Sequence, residues 1–366
     1  MLPVTCVDLF SGIGGNAYAF RSFAKTVAYC EINKNAVSIL TSVMQRGLIC
    51  TAPVHNDVRA FSIMPCDMIS ASWPCQGNSP LGKRKGMEDE RSALVQEVAR
   101  LLEGKPKIVF LENVPLVLNN GSFEYILGVL AKHGYRVAWG VVSANNCGLP
   151  HERKRFFCVA TLDPLLLRSC MQASRATSLE TCKEPMQRMK VFKDEEEATL
   201  NTRRLAALGN SVVPQASKLA FESLSRIVIN KSKFGAKVVK SGSKKYPTWG
   251  YYSGTYMYAV QKPTFPVPVF PKLTFWSGYV PTTGVELKNT LPILTDPVTK
   301  SLWSTPRHGN TGASLAFTIR ALTDLGSQLR FEKDTPNRDR MGSANAEFVE
   351  QLMGYPTGYT SQSLIN

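Results

Sequence analysis

The chain has 366 residues, enough for one large domain with an attachment or for two domains that each bury a core. Its apolar, aromatic and charged fractions of 44%, 9% and 19% exclude a disordered chain, and 43 Lys+Arg against 28 Asp+Glu give a formal charge of +15 that favours a polyanionic partner. Nine cysteines without a Cys-x-x-Cys spacing argue against a zinc knuckle or a thioredoxin-like pair. No run approaches the ~18 to 20 apolar residues of a membrane span, so a soluble, intracellular protein in a reducing compartment is expected.

From residue 4 to about 162, short β-branched or aromatic runs alternate with helical patterns, the signature of an α/β fold with a doubly wound parallel sheet. Strands are expected at 4–10, 26–31, 67–72, 108–113, 136–143 and 155–162. Helices are expected at 33–44 and 91–102, the second with Leu94, Val95, Val98 and Leu101 on one face. In such sheets ligands bind beyond the carboxyl ends of the strands. The first strand runs into Asp8-Leu9-Phe10-Ser11-Gly12-Ile13-Gly14-Gly15, where close glycines let a ligand approach the backbone. Glu31 ends the second strand, where a carboxylate can accept hydrogen bonds from ribose hydroxyls, and Asn56-Asp57-Val58 suits an adenine amino group. Any one of these is equally a tight turn or a solvated carboxylate; their order implies an adenosine-containing cofactor.

Trp73-Pro74-Cys75-Gln76 follows the third long strand among turn formers, whereas a structural cysteine sits within an apolar element. Lys83, Arg84 and Lys85 nearby favour the thiolate and a phosphate partner, so Cys75 is read as reactive rather than as an inert exposed thiol. Glu112 ends the strand Ile108-Val109-Phe110-Leu111 at the same sheet edge. Partial burial would raise its pKa and make it a proton donor, against the plainer role of capping the next turn. A zinc deaminase is rejected: position 78 is Asn where that chemistry needs a second cysteine, and none of His55, His133, His151 and His308 opens a His-x-Glu.

Residues 163–200 are polar and end in Lys193-Asp194-Glu195-Glu196-Glu197, which reads as an excursion or a solvated helix. The spacing of Ala216, Leu219, Ala220, Leu224 and Ile227 after Pro214 predicts a helix over 214–227 that returns to the sheet. Residues 230–250 hold six lysines, no acid and several turn formers, a linker composition. The Tyr, Phe, Pro and Thr content of 249–283 suggests a small domain of short strands and long loops.

In this order the residues resemble the DNA (cytosine-5) methyltransferase family, well over 4–160 and 208–214 and loosely over the last hundred residues. Asp8 to Gly15 is similar to the family's first cofactor motif, Pro74-Cys75-Gln76 to its catalytic loop and residues 86–94 to the helix entry that follows. Glu112-Asn113-Val114 is similar to its proton-donor motif, Arg153-Lys154-Arg155 to its Arg-x-Arg motif, and Gly209-Asn210-Ser211-Val212-Val213 to its late cofactor motif. The resemblance implies a Rossmann-like S-adenosylmethionine-dependent catalytic domain and a smaller, mostly β or irregular recognition domain. It implies methyl transfer, leaving S-adenosylhomocysteine, to carbon 5 of a cytosine flipped out of double-stranded DNA. Cys75 would attack carbon 6, Glu112 would protonate or hydrogen-bond N3, and Arg153 and Arg155 would hold the flipped base and its phosphates. Phe10, Ser11, Gly12, Gly14, Gly15, Glu31, Ile32, Asp57, Val58, Pro74, Leu94, Asn210 and Ser211 would line the cofactor site, with no metal. A monomer is expected, compatible with a restriction endonuclease as companion. The alternatives are a tRNA cytosine-5 methyltransferase, whose Cys-Phe-Thr signature is missing, and a silent nucleic-acid-binding relative, which needs neither Cys75 nor Glu112.

Three departures from the family pattern stand out. Asn78 replaces an aromatic residue of the catalytic loop, His151 replaces the Gln before Arg153, and only residues 163–200 separate the Arg-x-Arg and Gly-Asn motifs, where most members place the recognition domain. Trp303-Ser304-Thr305-Pro306 and the stretch from Asn345 to Pro356 resemble segments that many members carry before the Gly-Asn motif. The expected organisation is therefore rearranged: a catalytic domain over 1–229, a basic linker over 230–248 and a recognition domain over 249–366. A chain ending near Asn230 is expected to keep cofactor binding.

Overall fold

Strand β1 (Val4–Leu9) is buried almost throughout, as a strand covered by helices on both sides must be. The computed structural model describes residues 3–74, 94–149, 151–179, 189–190, 194–230, 237–238, 246–253, 256–265 and 343–361. They divide into two units, one of Met1–Ser143, Lys154–Leu179 and Pro214–Pro266, the other of Ala144–Arg153, Glu180–Val213 and Val267–Asn366.

In the first unit β1 lies parallel between β2 (Ala24–Cys30) and β4 (Met68–Ala71), with β3 (Val54–His55) outside β2 and β5 (Ile108–Asn113) outside β4. Then β7 (Lys154–Thr161) runs antiparallel to both β5 and β6 (Arg136–Ser143). The expected all-parallel sheet is thus parallel over five strands and antiparallel beyond them. The cause is local: the link from β6 to β7 carries a single 3₁₀ turn (Ala144–Cys147) and no crossover helix, which a parallel return would need.

Alternation along the strands builds two cores. The registered rows Val7-Ile69-Val109 and Leu9-Ala71-Leu111 face helices α3 (Leu94–Leu101) and α4 (Ser122–Lys132), where Val95, Val98, Phe123 and Ile126 are buried. On the other face Phe110 and Phe157 meet Phe20 of α1 (Gly15–Phe20) and Phe221 of α7 (Pro214–Asn230), with ring centroids 4.8 Å apart for Phe20 and Phe110. Helix α7 does return to the sheet, against β6 and β7. After β2, α2 (Lys34–Gln45) starts on Asn33, whose side chain accepts from the Ala36 amide.

The polar stretch after β7 is a packed helix in its first half. Asp163 accepts from the amides of Leu165 and Leu166, Pro164 fills the first turn, and α5 (Pro164–Arg175) buries Leu167, Cys170 and Met171 and packs on α7.

The boundary expected at 248/249 falls inside this unit. Strands β9 (Lys237–Val238), β10 (Gly250–Ser253) and β11 (Tyr256–Ala259) extend the sheet, β10 antiparallel to β6. Two glycine–tryptophan exchanges fix that pairing. A Cβ on Gly250 would lie 2.3 Å from the Trp139 ring opposite it, and one on Gly140 would lie 2.4 Å from the Trp249 ring. The Trp139 indole N–H also donates to the Pro247 carbonyl at 2.9 Å. A chain cut near Asn230 would lose these strands and leave Trp139, now fully buried, uncovered.

In the second unit Asp194 caps α6 (Glu195–Asn210) by accepting from the Glu197 amide, so the acidic run Glu195-Glu196-Glu197 forms a favourable first helical turn. A short strand β8 (Met189–Lys190) pairs antiparallel with β12 (Ser343–Ala344), and α8 (Ala346–Leu352) follows. Arg204 of α6 reaches the fully buried Glu350 of α8 at 3.0 Å, and Asn201 accepts from the Ala346 amide at 2.9 Å. The Glu350 carboxylate also accepts from the amides of Gly358 and Thr360 and from the Thr360 hydroxyl. Among the described residues no helix is long and apolar enough to cross a membrane.

Candidate active site

Because β1, β2, β4 and β5 are parallel, their carboxyl ends deliver Ser11 to Gly14, Glu31, Ser72 to Pro74 and Glu112-Asn113 to one edge of the first unit's sheet. At the end of β1 the chain turns sharply. Phe10 and Gly12 take φ of 55° and 54°, and Gly14 takes 82° as it opens α1. For Phe10 that conformation is strained, and it is held from both sides: the Ser11 amide donates to the Cys30 carbonyl at 3.0 Å, and the Ser11 hydroxyl donates to the Asp8 carbonyl at 2.6 Å. Gly12 is favoured by its positive φ alone; the space a Cβ would occupy is open, with no atom within 4 Å, and leaves room for a ligand beside the backbone.

Glu31 clasps this turn. One carboxylate oxygen accepts from the Gly12 amide and the other from the Asn33 amide, both at 2.8 Å. Burial pushes the Glu31 carboxyl above its ordinary range, and the amides of Asn33, Gly12 and Ile32 pull it back. Ile32 projects an apolar side chain that is 69% exposed beside the clasp, a surface for a flat ring to cover. Asp57 caps the 3₁₀ turn Val58–Ala60 by accepting from the Arg59 amide, with Val58 buried beneath it. An open glycine cradle, a half-buried carboxylate and an exposed apolar residue fit an adenosine-containing group.

At the end of β4, the Asn113 carboxamide donates to the Trp73 carbonyl at 3.2 Å, which ties the proton-donor motif to the backbone just before Pro74. Sequence reading passed over this role of Asn113 because the adjacent glutamate drew the chemistry. Glu112 is nearly buried, and its Oε1 lies 3.2 Å from Arg155 Nε. Leu94, half-buried at the start of α3, packs against the core. Cys75, Gln76, Asn78 and the basic run at 83–85 lie outside the described residues, as do Trp303 to Pro306. Burial pushes the thiols of Cys66 and Cys30 up to about 11 and 12 and that of Cys158 higher still, so these are packing residues.

Three of the expected site residues belong to the second unit. There Arg153, 3% exposed, donates through Nη2 to the carbonyls of Gly209 at 2.9 Å and Ser211 at 2.7 Å. Arg153 thus grips the turn that carries Asn210 and Ser211, while Arg155 pairs with Glu112. The Tyr355 hydroxyl supports the same turn by donating to the Val212 carbonyl at 2.9 Å. Asn210 is exposed, and the buried Ser211 donates its hydroxyl to the Leu208 carbonyl. His151 is fully buried.

Residues 4–301 match the profile of the C-5 cytosine-specific DNA methylase family. The chain belongs to that family. It is 35% identical over 223 residues to the type II methyltransferase M.CviJI of Paramecium bursaria Chlorella virus IL3A, covering 60% of this chain and 58% of that protein. It is 35% identical over 163 residues to the type II methyltransferase M.MspI of Moraxella sp, covering 43% of this chain and 38% of that protein. The chain therefore spans about half the length of the curated relatives it matches. Among solved structures, the Dnmt2 methyltransferase of S. pombe has a TM-score of 0.37 at 26% identity, covering 43% of this chain and 51% of that one.

Proposed function

We propose that the protein transfers a methyl group from S-adenosylmethionine to carbon 5 of cytosine in double-stranded DNA. The reading rests on the convergence at one sheet edge of the Glu31-clasped glycine turn, the Trp73-Pro74 backbone that leads into Cys75, and Glu112. Phe10 to Gly15, Glu31, Ile32, Asp57, Val58, Pro74, Leu94, Asn210 and Ser211 would hold the cofactor, which supplies an electrophilic methyl on a sulfonium.

Cys75 thiolate adds to carbon 6 of the flipped base, and Glu112 hydrogen-bonds or protonates N3 so that charge does not build on the ring. Carbon 5 then becomes nucleophilic and takes the methyl. A base removes the carbon 5 proton and the thiolate leaves. Arg155 steers the Glu112 carboxyl, and Arg153 serves as a brace for the late cofactor turn rather than as a base contact.

The same reading covers the rearranged chain, with target recognition after the Gly-Asn motif. It is supported by the docking of residues 345–360, which resemble segments that precede that motif elsewhere, onto α6, which ends in it. A monomeric state and any companion endonuclease belong to this proposal. Methyl incorporation into duplex DNA and into tRNA tests it. Preference for duplex DNA is expected, together with a stable adduct between Cys75 and DNA containing 5-fluorocytosine. Preference for tRNA, or full activity in Cys75→Ser, would overturn it.

A further inference from the structure

Beneath the site, on the face of the sheet covered by α1 and α7, three polar side chains form a chain of hydrogen bonds within the aromatic core. Ser217 of α7, fully buried, donates its hydroxyl to Asn16 Oδ1 at 2.9 Å. Asn16, 4% exposed and second in α1, donates through Nδ2 to the Ser72 hydroxyl at 3.1 Å. Ser72 follows β4 directly and precedes Cys75 by three residues; its amide donates to the Leu9 carbonyl at 3.3 Å. Ser217 thus meets the amide oxygen and Ser72 the amide nitrogen, so both ends of the Asn16 carboxamide are satisfied.

An apolar side chain would satisfy this core position, yet an amide is held there with its partners on both sides. It bridges the helix that opens directly from the glycine turn to the backbone that leads into Pro74-Cys75. We infer that Asn16 is a positioning residue: through Ser72 it fixes the start of the Cys75 segment relative to the cofactor turn, with Ser217 orienting its amide. This rests on the proposed function. It differs from the role of Asn113, which grips the next residue, Trp73, from β5.

The test uses the full chain and the variants Asn16→Ala, Ser72→Ala, Ser72→Thr and the double variant N16A/S72A. The readouts are single-turnover methylation of duplex DNA, S-adenosylmethionine affinity by calorimetry and thermal stability. Loss of one positioned hydrogen bond is expected to slow methyl transfer about five- to tenfold in each alanine variant while affinity stays within about twofold. The double variant should be no slower than either single one, since both break the same bond, and Ser72→Thr, which keeps the hydroxyl, should recover most of the rate lost in Ser72→Ala. Unchanged rates, additive losses, or a loss that tracks melting temperature alone would overturn the inference. Trapping of the unaltered chain with 5-fluorocytosine DNA separates the two levels: a chain that cannot be trapped sinks the proposed function and this inference with it. A trappable chain with unaffected variants sinks this inference alone.

Discussion

Asp8 lies in β1 on the core face, in register with Tyr29 and Ser70, and burial pushes its carboxyl up to about 7 against the opposing effect of the Ser70 hydroxyl. An acid with a raised native pKa holds its proton more tightly when folded. Its contribution is therefore fully present below the unfolded value near 3.8 and is lost as pH rises through about 7. Asp8→Asn should remove this dependence, so that between pH 5 and 8 the parent loses on the order of 2 kcal/mol more unfolding free energy than the variant. Urea melts at the two pH values measure it, and parallel losses would acquit Asp8. At Glu31 the expectation concerns binding. Glu31→Ala removes the proposed ribose acceptor and also the brace on the Gly12 amide, so S-adenosylmethionine affinity should fall at least about tenfold in calorimetry. Glu112→Gln keeps the shape and loses the acidic proton. Methylation should slow by about 10²-fold with cofactor affinity little changed, and a rate near the parent's would remove Glu112 from the proton step.

At the scale of elements, the pairing of β10 with β6 is a matter of two missing Cβ atoms. Gly250→Ala would force a methyl into the Trp139 ring, which is fully buried and cannot swing aside, at a cost of about 1 to 3 kcal/mol. A melting temperature equal to the parent's would show that the ring yields. The same strands mark the limits of sequence reading. β1 and β5 were legible because both faces are apolar, and the 214–227 helix because its period is clean. β10 was not, since Gly250-Tyr251-Tyr252-Ser253 is short and its partner strand is over a hundred residues earlier. α5 was hidden by Arg168, Gln172 and Arg175 on its outer face, although Asp163-Pro164 marks its start. Glu31 and Glu112 were legible as carboxylates at strand ends. The commitment of Arg153 to two carbonyls was not, because one-dimensional spacing cannot tell a buried guanidinium from an exposed one.

In the molecule as a whole, the second unit depends on contacts between residues far apart in sequence. Arg204→Ala would leave Glu350 buried without its cation and should cost about 3 to 5 kcal/mol in a denaturant melt; a loss under about 1 kcal/mol would mean that the amides of Gly358 and Thr360 suffice. The bond from Arg204 to Glu350 spans 146 positions, and that from Tyr355 to Val212 spans 143. During synthesis α6 must therefore wait, with an unpaired arginine on its inner face, until residues 343–361 have left the ribosome. In the first unit the bond from Ser217 to Asn16 spans 201 positions, so α1 waits in the same way for α7. A product released before residue 343 would lack the Tyr355 hydroxyl that supports the turn carrying Asn210 and Ser211, and the Glu350 partner of Arg204. The distance between those partners thus acts as a check on length: the second unit closes only on molecules whose translation has passed Thr360.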